Sequence, residues 1–179
     1  MRTRESGGAI AWLLLTMAVA VPVGAEDRHS KPLTAQDHAE IQQLYARYHW
    51  IADAGDGRGW AKLFTPDGEY SQEGGSNKAK GREQLTELGL KAFGQRSGRS
   101  GLRFISNIRF EPSPEGARGG AYLLSVTPGE PGKPASVTVA VYEDVMVKTS
   151  EGWRFKSRKT YLSDPGLAPA LILQAQAAR

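Results

Sequence analysis

The amphipathic helical runs of this chain lie before Gly94, and from Leu102 to Leu162 it alternates in the manner of strands, with only weak helical character in the last segment, 168–179. Helices first and a meander of strands afterwards predicts an α+β fold. The expected form is a cone-shaped roll, with three N-terminal helices packed on one face of a curved mixed or antiparallel sheet. The first helix is expected to start at Thr34-Ala-Gln-Asp37, where a hydroxyl precedes an acid by three residues in the manner of a capping box. Ile41, Leu44, Tyr45, Tyr48, Ile51 and Ala52 then recur at helical spacing, so it runs to about Ala54 and stops at Gly55. A short second helix carries Trp60, Leu63 and Phe64. Pro66-Asp-Gly68 ends it with turn residues and opens a strand through Tyr70. Gly74-Gly-Ser-Asn77 reads as a loop, and Lys80-Gly-Arg-Glu83 leads into a third helix whose stripe is Leu85, Leu88 and Phe93. Strands are expected over 102–110, 121–127, 136–148 and 153–162, separated by Pro- and Gly-rich turns.

The ends of the chain read differently. Two arginines precede a short, almost wholly apolar run over 9–23, which breaks at Gly24-Ala25 into Glu26-Asp-Arg28. This is the order of a secretory signal peptide cut after Ala25, and the apolar run is shorter than the roughly 20 residues a membrane span requires. A periplasmic or secreted protein is therefore expected, with no membrane attachment after cleavage: a signal over 1–25, a flexible leader over 26–33, one domain over 34–165 and a tail over 166–179. The sequence contains no cysteine, so neither a disulfide nor a lipid-modified cysteine contributes and the fold rests on burial alone. Setting aside Arg2, Arg4 and Glu5 changes the formal charge from +4 to +3, a mild excess. Its densest patch, Gln95 to Arg103, has no interleaved aromatic platform, so no nucleic-acid partner is expected.

Three stretches carry a likeness to a known family. Tyr48-His-Trp-Ile-Ala-Asp-Ala-Gly-Asp56, followed by Trp60-Ala-Lys-Leu-Phe-Thr-Pro-Asp67, resembles the first-helix signature of SnoaL-like domains of the nuclear-transport-factor-2-like superfamily. Arg103-Phe-Ile-Ser-Asn107 is similar to the strand that often reads His-x-x-x-Asn there. Tyr142-Glu-Asp-Val-Met-Val-Lys148 and Glu151-Gly-Trp-Arg-Phe-Lys-Ser-Arg158 resemble the closing hairpin. The resemblance spans nearly the whole domain and implies a cone with one pocket, homodimers, and chemistry, where there is any, without a cofactor.

Such a pocket is expected to be apolar with a few polar groups drawn from the first helix and the inward strand positions. Within the resemblance, Asp56 and Tyr70 match the aspartate and tyrosine of scytalone dehydratases, but Arg103 stands where a sheet histidine would be. Tyr48 matches the oxyanion tyrosine of steroid isomerases and Asp144 their oxyanion acid, while Gln72 falls on or near the position of the base. Tyr48, Asp56, Tyr70 and Asp144 are thus the candidate catalytic residues. His49, Asp53, Trp60, Phe64, Arg103, Asn107 and Tyr142 are the candidate ligand contacts, with Arg103 and Asn107 orienting a polar end. His49 and Asp53 share a helix face at i and i+4, either as a base held by its carboxylate or as a solvated outer pair. Asp144, on an apolar strand, is either a protonated hydrogen-bond donor or the partner of Arg103 or Arg158 across the sheet. Gly55-x-Gly-x-Gly59 follows a helix and lacks a Lys-Ser/Thr ending, which makes it a turn rather than a phosphate loop. No metal-ligand spacing is present. Two functions fit: capture of a small apolar or aromatic molecule, and a cofactor-free lyase or isomerase acting on a polyketide-, aromatic- or steroid-like substrate.

Overall fold

The computed structural model describes residues 30–94 and 101–162. The expected signal segment, most of the leader, part of the arginine-rich stretch, His29 and the tail lie outside the described residues. The helices are α1 (Ala35–Asp53), α2 (Gly57–Ala61) and α3 (Gly81–Phe93). The strands are β1 (Phe64–Glu73), β2 (Lys78–Lys80), β3 (Leu102–Ser113), β4 (Gly116–Thr127), β5 (Ser136–Thr149) and β6 (Gly152–Leu162). They form one sheet in the order β2-β1-β6-β5-β4-β3, with β1 parallel to β6 and every other pair antiparallel. This is the expected α+β cone, its helices on the N-terminal side of a curved sheet. Among the described residues no helix is long and apolar enough to cross a membrane.

The start of α1 is fixed twice. Thr34 and Asp37 close a reciprocal capping box, Asp37 N donating to Thr34 Oγ1 at 3.1 Å and Thr34 N to Asp37 Oδ2 at 2.9 Å. The other carboxylate oxygen accepts from Lys148 Nζ at 2.8 Å and Trp153 Nε1 at 3.2 Å, which ties the helix to the β5–β6 hairpin. The hydrogen bond from Lys148, then those from Thr34, hold the Asp37 carboxyl far below its usual range.

Three local expectations are corrected. The second helix ends at Ala61, so Leu63 and Phe64 lie beyond it. Pro66-Asp-Gly68 sits inside β1 rather than before it, where the register against β6 slips between Phe64 and Glu69 as a bulge. The β3 strand runs through Pro112, which lacks an N–H, because β3 is an edge strand with a partner on one side only.

The α2–α3 crossing depends on two glycines. A Cβ on Gly57 would lie 2.3 Å from the Gly89 carbonyl carbon, and one on Gly89 would lie 2.5 Å from the Gly57 oxygen. Backbone on both sides cannot yield cheaply, so Gly57→Ala is expected to lower stability by about 1–3 kcal/mol in urea unfolding. The Gly-x-Gly-x-Gly run is thus spent on a turn at Gly55, where φ is +76°, and on helix packing at Gly57.

Candidate functional site

The wall of the cone is read from the strand pairings. Inward positions on β6 are Phe155, Arg158, Thr160 and Leu162, facing Met146, Asp144, Tyr142 and Ala140 on β5. From α1, Tyr45, Tyr48, His49 and Ala52 point at this wall, all buried. The expected interior hollow is instead filled by rings. Tyr48 makes edge contacts with His49, Trp60, Phe64, Tyr142 and Phe155 at centroid distances of 5.1 to 6.3 Å. Trp60 also meets Tyr70 at 5.7 Å and Phe93 at 5.4 Å.

At the centre stands an ion pair with no side-chain exposure. Arg158 donates from Nε to Asp144 Oδ1 at 2.7 Å and from Nη2 to Oδ2 at 2.8 Å, and the Tyr45 hydroxyl donates to Oδ2 at 2.5 Å. Four rings surround the guanidinium: Tyr142 at 4.0 Å, Tyr48 and Phe155 each at 4.1 Å, and Tyr45 at 5.1 Å. Asp144 therefore accepts three hydrogen bonds and is not the protonated donor of a steroid-isomerase oxyanion site. Of the two partners left open for it, Arg158 is the one present.

His49 is 4 % exposed. Burial, then the charges of Arg158 and Arg103, pushes its pKa down to about 3, so the imidazole is neutral. It stacks on Tyr142 at 5.9 Å. Neither ring nitrogen has a hydrogen-bond partner among the described residues, nor does Arg158 Nη1. The solvated His49–Asp53 pair is thereby corrected, and so is the pair in which Asp53 steadies the imidazole. Asp53 turns to Arg103, taking an ion pair from Nη1 and a longer bond from the backbone N at 3.3 Å. The Arg103 guanidinium also covers the Phe93 ring at 5.2 Å.

Burial raises the pKa of Tyr48, Tyr70, Tyr142 and Tyr45, so all four hydroxyls stay protonated. The Tyr48 hydroxyl lies near enough to Arg158 and Trp60 to feel them, yet neither Arg158 Nη1 nor Trp60 Nε1 reaches hydrogen-bond geometry.

Nine of the eleven candidates thus gather in or beside one cluster: Tyr48, His49, Asp53, Trp60, Phe64, Tyr70, Arg103, Tyr142 and Asp144. Two do not. Asp56 is exposed and caps α2, its Oδ1 accepting from Gly59 N at 2.7 Å. Asn107 is exposed with φ +53°, at the bulge between Ser106 and Arg109 where β3 bends. Arg158 and Tyr45 went unassigned as site residues. Tyr45 was legible on the buried stripe, whereas the β5–β6 bulge between Val145 and Met146 shifts Arg158 to the inward parity.

Two clefts open at the surface. One, of about 400 Å³, is lined by Tyr70, Asp144 and Arg158 together with their strand neighbours, among them Glu69, Glu143 and Lys159. The other, of about 290 Å³, lies beside the start of α1, between Glu40, Arg47 and Arg154. Among the described residues no three His, Cys, Asp or Glu side chains gather as a metal ion would need.

A long helix laid across a bent six-stranded sheet is the architecture of the nuclear-transport-factor-2-like class. Solved structures of that class superpose on it. An NTF2-like protein with a cystatin-like fold from Novosphingobium aromaticivorans is 25% identical, with 77% of this chain and 89% of that one covered at a TM-score of 0.67. A protein from Catenulispora acidiphila in complex with S-DNPA is 25% identical, with coverage of 75% and 99% and a TM-score of 0.64. A candidate scytalone dehydratase from Novosphingobium aromaticivorans, 24% identical with coverage of 72% and 85%, shares the fold at 0.62. The chain belongs to the SnoaL-like domain family, whose sequence pattern matches residues 33–159. No protein of curated description matches it in sequence.

Proposed function

We propose that this SnoaL-like domain binds a small, largely apolar molecule of aromatic or polyketide-like character against the wall formed by Tyr48, His49, Tyr142 and Arg158. The observation that carries the reading is the set of buried polar atoms without partners, both nitrogens of His49 and Nη1 of Arg158. Each such atom costs about 1–3 kcal/mol if nothing meets it. A ligand oxygen brought to this wall, beside the Arg103–Asp53 pair, would meet them. Because rings fill the wedge, entry requires that pair or a ring behind it to shift. The Catenulispora acidiphila neighbour, solved in complex with S-DNPA, supports the reading.

Thermal unfolding with a panel of aromatic ketones and phenols tests it. The midpoint is expected to climb with ligand concentration for at least one member. His49→Leu is expected to abolish that climb while raising ligand-free stability by roughly 1 kcal/mol, since two unmet nitrogens leave the core. A panel without any shift would remove the proposal.

A second reading, a cofactor-free lyase or isomerase, is favoured by the neutral imidazole lying 5.1 Å from the Tyr48 ring. With a pKa near 3, His49 suits hydrogen-bond donation to a reacting oxygen better than proton abstraction.

Homodimers are part of the proposal. The outward face of β3, β4 and β5 exposes Leu102, Phe104, Leu124, Val137 and Val139, an apolar strip suited to a second copy related by a twofold axis. Leu124→Glu is expected to turn a dimer into a monomer in sedimentation; a monomeric parent would end the idea. Action outside the cytoplasm is likewise proposed, from the basic, apolar and small-residue order of the first residues. An exported protein whose N-terminus is Glu26 is the expected finding.

A further inference from the structure

We infer that Arg158 is the residue that recognises the ligand, by donating from Nη1 to a neutral carbonyl oxygen on an otherwise apolar ring system. This rests on the small-molecule reading above and names its ligand class. Arg158 is 1 % exposed, and two of its three nitrogens are engaged on one edge, Nε and Nη2 gripping the two oxygens of Asp144. That bidentate grip leaves Nη1 at the opposite corner of the planar guanidinium. Nη1 is buried and donates to nothing among the described residues. The rings of Tyr48, Tyr142, Phe155 and Tyr45 lie around the group, and a flat apolar ligand can pack against such surfaces. On β6, Arg158 lies two inward positions below Leu162, which is 40 % exposed.

Charge balance decides which oxygen fits. Asp144 already neutralises Arg158, and Asp53 neutralises Arg103. A carboxylate or phenolate brought beside Arg158 would leave one net negative charge in a buried site, which is costly. A ketone oxygen satisfies the idle donor and adds no charge. The role of polarising oxygen thus falls to Arg158 and not to Asp144.

The probes are fluorenone, fluorene and fluorene carboxylate, which share one ring system. Fluorenone is expected to bind the full chain on the order of tenfold more tightly than fluorene, with the carboxylate weakest. Its carbonyl stretch is expected to fall in frequency on binding, the mark of a donated hydrogen bond. Arg158→Lys keeps a cation opposite Asp144 but removes Nη1, and is expected to bind fluorenone and fluorene alike with the carbonyl stretch unshifted. Nitrogen-15 spectra of arginine side chains in the unaltered chain keep the test independent of how that variant folds. One buried Nη signal is expected to move with fluorenone and to stay still with fluorene. Equal affinities with an unshifted carbonyl, or a carboxylate that binds best, would overturn the inference while leaving the small-molecule site standing. Binding by none of the three overturns both.

Discussion

Replacing Asp144 with alanine is expected to cost about 3–5 kcal/mol of stability. Arg158 would keep its charge with no side-chain exposure and no carboxylate to meet it. Tyr45, whose hydroxyl is 2.5 Å from Asp144, would lose its acceptor as well, loosening the point at which α1 grips the sheet. Removing both charges behaves differently, because neither ion then remains alone in the core. Asp144→Leu with Arg158→Met is expected to recover most of the loss. Urea unfolding of the parent, the single variants and the double variant completes the cycle. An Asp144→Ala variant within 1 kcal/mol of the parent, on the scale of about 3–5 above, would mean that the ion pair does not hold the core as described.

Acid should destabilise the protein well above the usual carboxylate range, and His49 is the reason. Its folded pKa, about 3, lies below the ordinary 6.5. Above pH 6.5 the imidazole is neutral in both states and adds no slope. Between 6.5 and about 3 the unfolded chain takes up a proton that the folded chain refuses, so stability falls as the pH falls. The slope is at most about 1.4 kcal/mol per pH unit. Asp37 acts lower down. Its depressed pKa supplies stability above the ordinary value of 3.8, and that stability is lost as acid approaches the folded value. Urea midpoints from about pH 7 to about pH 4 should therefore decline in the parent and flatten in His49→Leu. A decline of equal steepness in both chains would show that His49 takes up its proton while folded.

The architecture was legible because local signals agreed with it. The Thr34–Asp37 box, the α1 stripe, Gly94 and the turns on either side of β5 each fall where capping, periodicity and turn chemistry put them. The site was legible only in part, and bulges account for much of the rest. Counting by twos from Trp153 and Phe155 points Ser157 inward and Arg158 outward. The bulge opposite Val145 and Met146 reverses that parity and places the arginine in the core. A bulge in β3 likewise turns Asn107 out of the cone. His49 was legible as a ligand contact, and its burial could have been read as well, since Ile41, Tyr45, Tyr48, His49 and Ala52 complete one helical face. Its polarity disguised a core position. Asp56 looked chemical from its motif, but the start of α2 needs a side-chain acceptor there.

The most direct test of a ligand among these rings is the nitrogen-15 spectrum of His49 in histidine-labelled full-length chain, assigned by its loss in His49→Leu. Saturating fluorenone or naphthol is expected to shift the two ring-nitrogen signals of a neutral imidazole, as a partner reaches atoms that now have none. Signals that stay fixed across the whole ketone and phenol panel would contradict the account.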